Sequence, residues 1–167
     1  MYGKTSKRVR DLCRAAIIAA IYCVLTYVSA ALGLASGVIQ IRLSEMLTIL
    51  PVFSPAAIYG LFIGCALSNL LTGCALWDIV FGALATLIGA VGTHYIAKID
   101  KRLAPIPPIL ANAAIVPFVL KYTYGFAGSI WYFAVTVGIG EIISCGVLGL
   151  FLLRTLEKHG NRIFRNK

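Results

Sequence analysis

The chain has 167 residues, of which 60% are hydrophobic and only 13% charged, and its mean hydropathy is +0.91. Water-soluble domains carry about 25% charged residues, so most of this chain faces lipid or other apolar helices, and no large soluble domain fits. The formal net charge of +9 does not point to nucleic acid: the cations cluster beside apolar runs, five in Lys4–Arg14, three in Lys98–Arg102 and five in Arg154–Lys167, with no reader fold around them.

The first apolar segment spans Asp11 to Leu34 and is closed by Gly33, Ser36 and Gly37. Its basic start suggests a signal peptide, but the apolar run is long for one and lacks a clear processing site, so a retained helix is expected. Segment two begins near Leu43 and stops at Pro51–Pro55, and segment three covers Ala56 to Leu71. Segment four runs from Trp77 to Ala97, followed by the charged turn KIDKR and the stiff RLAPIPP. Segment five covers Ile109 to Tyr122, and segment six runs from Ser129 to Leu156.

Segment two is too short to span by itself, since about ten residues of α-helix cover only about 15 Å of a core roughly 30 Å thick. Merging it with segment three would strand Lys98, Lys101 and Arg102 on the outer side. Six segments keep all three basic clusters, and both termini, in the cytoplasm. The expected fold is an all-α integral membrane protein, a single domain over 1–167: a six-transmembrane-helix bundle with a short second helix and basic tails at about 1–10 and 157–167. The short helix must hide its backbone among its neighbours or beside a cavity.

Charged side chains inside such a bundle are costly and tend to face its interior. In the six-segment topology Arg42, Glu45, Asn69, Asp78, Lys121, Tyr124, Trp131 and Glu141 all fall in the outer half, with Trp77 beside Asp78, whereas Asn112 and His94 fall in the inner half. These outer residues are the candidates for a pocket that takes a small polar solute from outside. Glu141 is the sharpest signal, lying about 15 Å below the start of its helix with no cation within ten positions in sequence. Each candidate has a plainer reading. Arg42 and Glu45, three apart, could pair on one helix face; Asp78 could cap a helix start; Asn69 could bond a neighbouring helix; Lys121 could snorkel; and Trp131, Tyr132, Tyr122 and Tyr124 could form an interfacial aromatic belt, with one of them, or Trp77, the candidate to lie flat against a planar ligand. His94 suits the headgroup boundary. Three outer carboxylates against two cations favour a ligand with a positive charge or several N–H donors.

Ala15, Ala16, Ala19 and Ala20 form a small-residue stripe that suits close helix contact, within the chain or with a partner, and Gly60 and Gly64 offer a second. The five cysteines show no metal-ligand spacing and read as packing residues. No phosphate-binding loop, HExxH or GxSxG is present, which disfavours ATP binding by this chain and an enzyme.

The stretch IQIRLSEMLTILPVFSPAAIYGLFIGCALSNLL (39–71), continuing into ALWDIVFGALATLIGA (75–90), resembles the QueT family. The R-x-S-E, proline and W-D-x-x-F-G features occur in one order, and the likeness weakens after Arg154. The resemblance implies a substrate-binding S component of an energy-coupling factor (ECF) transporter in the bacterial plasma membrane, capturing prequeuosine (an aminomethyl-deazaguanine) or queuine. It implies no cofactor in this chain, ATP being used by two partner ATPases, and a transmembrane coupling protein that meets an alanine face on the first helix, here Ala15, Ala16, Ala19 and Ala20. On that reading Glu141 and Glu45 would accept the ring N–H donors and Asp78 would sit near the amine. The alternatives are an S component for another vitamin or base, and a membrane enzyme or scaffold whose charges pair with one another.

Overall fold

A computed structural model describes residues 2–35 and 39–163, with side chains over 5–35 and 39–158. Ser36 and Gly37, expected to close the first segment, and the tail cations Lys4, Arg162, Arg165 and Lys167 lie outside the described side chains. Every regular element among the described residues is helical: α1 (Tyr2–Ala31), a short 3-10 helix (Leu43–Val52), α2 (Ala56–Leu71), α3 (Leu76–Ile96), a 3-10 turn (Lys101–Leu103), α4 (Ile106–Tyr122), α5 (Ile130–Glu141), a π-helical stretch (Ile142–Leu148) and α6 (Gly149–Ile163).

Several features differ from the sequence reading, among them the start of α4, at Ile106 rather than Ile109. Helix α1 starts nine residues earlier than Asp11, at Tyr2, because nothing in the basic stretch breaks a helix beyond the tolerated Gly3. The sixth segment is unbroken in path but changes pitch after Glu141. The short second helix is 3-10 rather than α, so its ten residues extend about 20 Å rather than 15 Å.

Burial is inverted relative to a soluble protein. Leu12 and Phe151 are each 72% exposed and Trp131 81%, while Glu45 is 2% exposed and Asn69 1%. Contiguous apolar surface on this scale marks a partner or a membrane. Among the described residues, four helical stretches are long and apolar enough to cross a bilayer: Thr5–Ala31, Leu76–Ile96, Lys101–Tyr122 and Ile130–Lys158. The short helix and the 16-residue α2 fall below the about 20 residues of a typical span.

Neighbours in sequence pack as neighbours in space, α1 on α2, α2 on α3, α3 on α4 and α4 on α5. The short helix fills the middle, touching α1, α2, α3, α6 and the π stretch. Its far end, Ile49, Val52 and Phe53, meets Ala104, Leu150 and Leu153 beside the basic turn, and His94 Nδ1 lies 3.0 Å from the Pro51 carbonyl oxygen. His94 thus helps to satisfy the end of the short helix rather than simply facing headgroups.

Small residues set the seams. A Cβ on Gly60 would lie 2.7 Å from the Ala15 carbonyl oxygen, and one on Gly64 would lie 3.0 Å from Ala19 Cα. On the other side, Gly89 and Gly92 admit Pro108 and Pro107. The alanine stripe therefore divides: Ala15 and Ala19 are buried against α2, while Ala16 and Ala20 remain exposed. Gly140 lets the Gln40 carbonyl reach the backbone of α5, where any Cβ would collide with it.

Gly140→Ala should therefore destabilise the purified protein by about 1–3 kcal/mol, the usual cost of overpacking, read as a lower thermal midpoint in detergent. Gly138→Ala, whose Cβ would meet only Ala113 Cβ at 3.9 Å, should be neutral or stabilising. Equal midpoints for the two variants would contradict the close Gln40–Gly140 approach.

Candidate functional site: a charged chamber inside the bundle

The site is built where the loop after α1 dips into the bundle. Arg42 is extended (φ −106°, ψ 108°) and precedes the first turn of the short helix. Its backbone N–H donates to Ser144 Oγ at 3.2 Å, and the Leu43 N–H donates to Ser29 Oγ at 2.8 Å. Thr26 Oγ1 donates to Ser44 Oγ at 2.9 Å. Hydroxyls from α1 and the π stretch thus take up polar groups at the start of the short helix, an alternative to water inside an apolar bundle.

Glu45 lies in the first turn. Tyr22, itself 1% exposed, donates its hydroxyl to Glu45 Oε1. Glu45 Oε2 is buried and has no hydrogen-bond partner. Glu141 ends α5, and the Cys145 thiol, one turn on in the π stretch, donates to Glu141 Oε2 at 3.1 Å. Thr48 Oγ1 lies 3.4 Å from Cys145 Sγ and 2.6 Å from the Glu45 carbonyl oxygen. One ligand atom each from Glu45, Glu141 and Cys145 falls within 4.8 Å of the others. π-helical turns are frequent at functional sites, and this one brings Ser144 and Cys145 to the same centre.

Asp78 is the third residue of α3, whose N-cap is Ala75, and its carboxylate accepts from Tyr124 rather than from the helix's own N–H groups. Its Oδ2 accepts the Tyr124 hydroxyl at 2.8 Å, Tyr124 accepts the Ala75 N–H at 3.2 Å, and Asn69 Nδ2 donates to the Asp78 carbonyl at 3.4 Å. Partial burial, reinforced by the Asp78 carboxylate, raises the pKa of the Tyr124 phenol, which keeps it a donor. Arg42 and Glu45 do not form a private pair. Among the described residues the ion pairs are Arg14–Asp11 and Lys101–Glu157, so no carboxylate oxygen comes within 4 Å of the Arg42 guanidinium.

Two cavities meet here. An inner chamber of about 30 Å³ is lined by Arg42, Glu45, Asp78, Thr86, Asn112 and Glu141, among others. A vestibule of about 240 Å³ adjoins it, walled by Thr26, Asn69, Thr72, Cys74 and Tyr124. Gln40, Arg42, Asp78 and Val116 line both and form the partition. The vestibule is bounded by the α2–α3 and α4–α5 connections, at the opposite end of the bundle from Lys98–Arg102.

Six of the expected residues converge: Arg42, Glu45, Asp78 and Glu141 on the inner chamber, Asn69 and Tyr124 on the vestibule. Three do not. Trp77 is 58% exposed and stacks on Phe81 at 5.7 Å in an apolar groove between α3 and α4. Trp131 points outward, and Lys121 lines neither cavity. Asn112, assigned by depth to the inner half, reaches the chamber floor. Tyr22, Gln40 and Thr86 escaped the sequence reading because a neutral polar residue costs far less to bury than a charge and so stands out less.

A helical bundle with apolar outer surfaces and charged groups inside fits a membrane protein with an internal polar chamber. The family follows from the sequence match: the chain belongs to the QueT transporter family, whose profile covers residues 12–158. It is accordingly a member of a family of membrane transport proteins. No curated protein and no solved structure matches the chain.

Tyr22→Phe removes the donor to Glu45 Oε1 and leaves both carboxylate oxygens without one. The expected result is a loss of about 1–3 kcal/mol, seen as a lowered thermal midpoint in detergent. An unchanged midpoint would mean that the Tyr22 hydroxyl does not support Glu45.

Proposed function

We propose that the chain is the substrate-binding S subunit of an ECF-type importer and captures a queuosine precursor, prequeuosine or queuine, from the outer face of the plasma membrane. The observation that carries this reading is the charged chamber and its adjoining vestibule in a QueT-family bundle. The combined volume falls just below the about 300–1,000 Å³ of typical small-molecule pockets, which suits a compact bicyclic base. Carboxylates can accept adjacent N–H donors of a guanine-like edge, and charge-assisted bonds are about twice as strong as neutral ones.

Orientation follows from the cations. With Lys98–Arg102 and both termini in the cytoplasm, the vestibule opens outward. The chain then passes the bilayer six times, the loop at 39–42 and the short helix together making the second passage. Backbone that is not α-helical is tolerated at such depth because it is buried in protein and lines a cavity. No nucleotide-binding loop accompanies the chamber, so energy would come from ATPase partners joined through a transmembrane coupling protein. Within the Ala15–Ala20 stripe of α1, Ala16 and Ala20 are the members left exposed to receive it.

Two measurements test this. Protein purified from cells fed prequeuosine should carry a deazaguanine detectable by mass spectrometry, and Glu141→Gln should weaken titrated prequeuosine by about ten- to a hundredfold. A protein that binds no purine-like base would favour a scaffold with internally satisfied charges. Separately, Ala16→Trp should preserve ligand binding but remove most uptake and most co-purification of the coupling protein. Full uptake by this variant would place the partner contact elsewhere.

A further inference from the structure

The two cavities differ in what they can hold. Room for a water molecule needs about 10–15 Å³, so an inner chamber of about 30 Å³ takes one or two such groups and excludes a bicyclic ring. The ring therefore belongs in the vestibule, and whatever enters the chamber is a small substituent passing the partition of Gln40, Arg42, Asp78 and Val116.

The chamber also asks for a donor. Glu45 is 2% exposed, and its Oε2 has no hydrogen-bond partner. A buried acceptor left unsatisfied is unfavourable, and more so when charged. Glu45 Oε1 is already taken by Tyr22 and Glu141 Oε2 by the Cys145 thiol, so the structure supplies acceptors at this centre and leaves one open. Asp78 lines the vestibule as well as the chamber, which places it nearer the ring than Glu45 and Glu141, which line the chamber alone. The lining carries three carboxylates against the single cation Arg42, and that cation pairs with none of them within 4 Å.

Resting on the reading of these cavities as the substrate site, we infer that the inner chamber is a subsite for a primary ammonium group, held between Glu45 and Glu141, while the ring that bears it sits in the vestibule beside Asp78 and Asn69. A primary ammonium has about the size of a water molecule and three N–H donors, which suits both the volume and the open acceptor. This reverses the division expected from sequence, in which Glu45 and Glu141 read the ring and Asp78 the amine. A metal ion is the competing occupant, since Glu45, Glu141 and Cys145 are close enough to share one. Against it, Cys145 is engaged as a thiol donor to Glu141, whereas a metal would require the thiolate. The consequence is selectivity: the protein prefers a deazaguanine with an aminomethyl substituent over the same ring carrying a neutral nitrile.

The experiment is calorimetric titration of full-length protein in nanodiscs with the aminomethyl and nitrile forms of the ring, using wild type, Glu45→Gln and Glu141→Gln, before and after dialysis against a chelator. The expected wild-type preference for the aminomethyl form is about ten- to a hundredfold, unaffected by chelation. Each substitution should collapse that ratio to within about threefold, and the second variant guards against misfolding of the first. Equal wild-type affinities, or variants that lose both ligands in proportion, would overturn the assignment while leaving the cavity as the substrate site. Aminomethyl binding that vanishes on chelation and returns with Zn²⁺ would overturn it in favour of a metal centre. If neither ring binds wild type, the deazaguanine reading itself fails, and the subsite with it.

Discussion

The structure depends on keeping Glu45 inside an apolar bundle. Moving a carboxylate out of water costs several kcal/mol unless donors meet it, and much of the centre can be read as the means of meeting it. Tyr22 comes from α1 to hold one oxygen, while Ser29, Thr26 and Ser144 hold the backbone and hydroxyl groups around the start of the short helix. The helix itself is surrounded by α1, α2, α3, α6 and the π stretch, so its polar groups find protein where a lipid-facing segment would find none. One oxygen remains unmatched, which makes the centre receptive rather than closed.

Close backbone approach makes this arrangement possible. Gly60 and Gly64 bring α2 onto Ala15 and Ala19, Gly89 and Gly92 bring α3 onto Pro108 and Pro107, and Gly140 admits the Gln40 carbonyl. Such seams draw the helices in until the polar interior is only a chamber, with the larger vestibule confined to one end. The same tightening leaves the bulky apolar side chains outside, where Leu12, Trp131 and Phe151 face the surroundings. Packing in lipid relies on such small-residue contacts because apolar side chains gain little from leaving one apolar medium for another.

Much of the fold was legible because hydropathy and charge placement are strong signals in a membrane chain. The segment order and the short second element follow from prolines, basic clusters and span length. Pitch was not legible: nothing in IISCGVL announces a π-helical stretch, and nothing in LSEMLTILPV separates 3-10 from α. At the site, Arg42, Glu45, Asp78 and Glu141 stood out because buried charge is expensive and therefore rare. Tyr22, Gln40 and Thr86 did not, since a neutral polar group is common in helices and loops for ordinary reasons. Trp77 and Trp131 were ambiguous in principle, because an aromatic near a membrane surface looks the same in sequence whether it faces lipid or a ligand. Asn112 was passed over because it lies in the half of its helix nearer the basic turn, yet the chamber reaches deep enough for it to line the wall.

Cys74 offers the most direct test of the central claim, that an outward-facing polar cavity in this bundle receives the substrate. It lines the vestibule and can be kept as the sole cysteine of a variant. A membrane-impermeant maleimide applied to intact cells should label it, and prequeuosine should protect it in a concentration-dependent way. Labelling confined to inside-out vesicles, or external labelling that prequeuosine does not slow, would contradict the account.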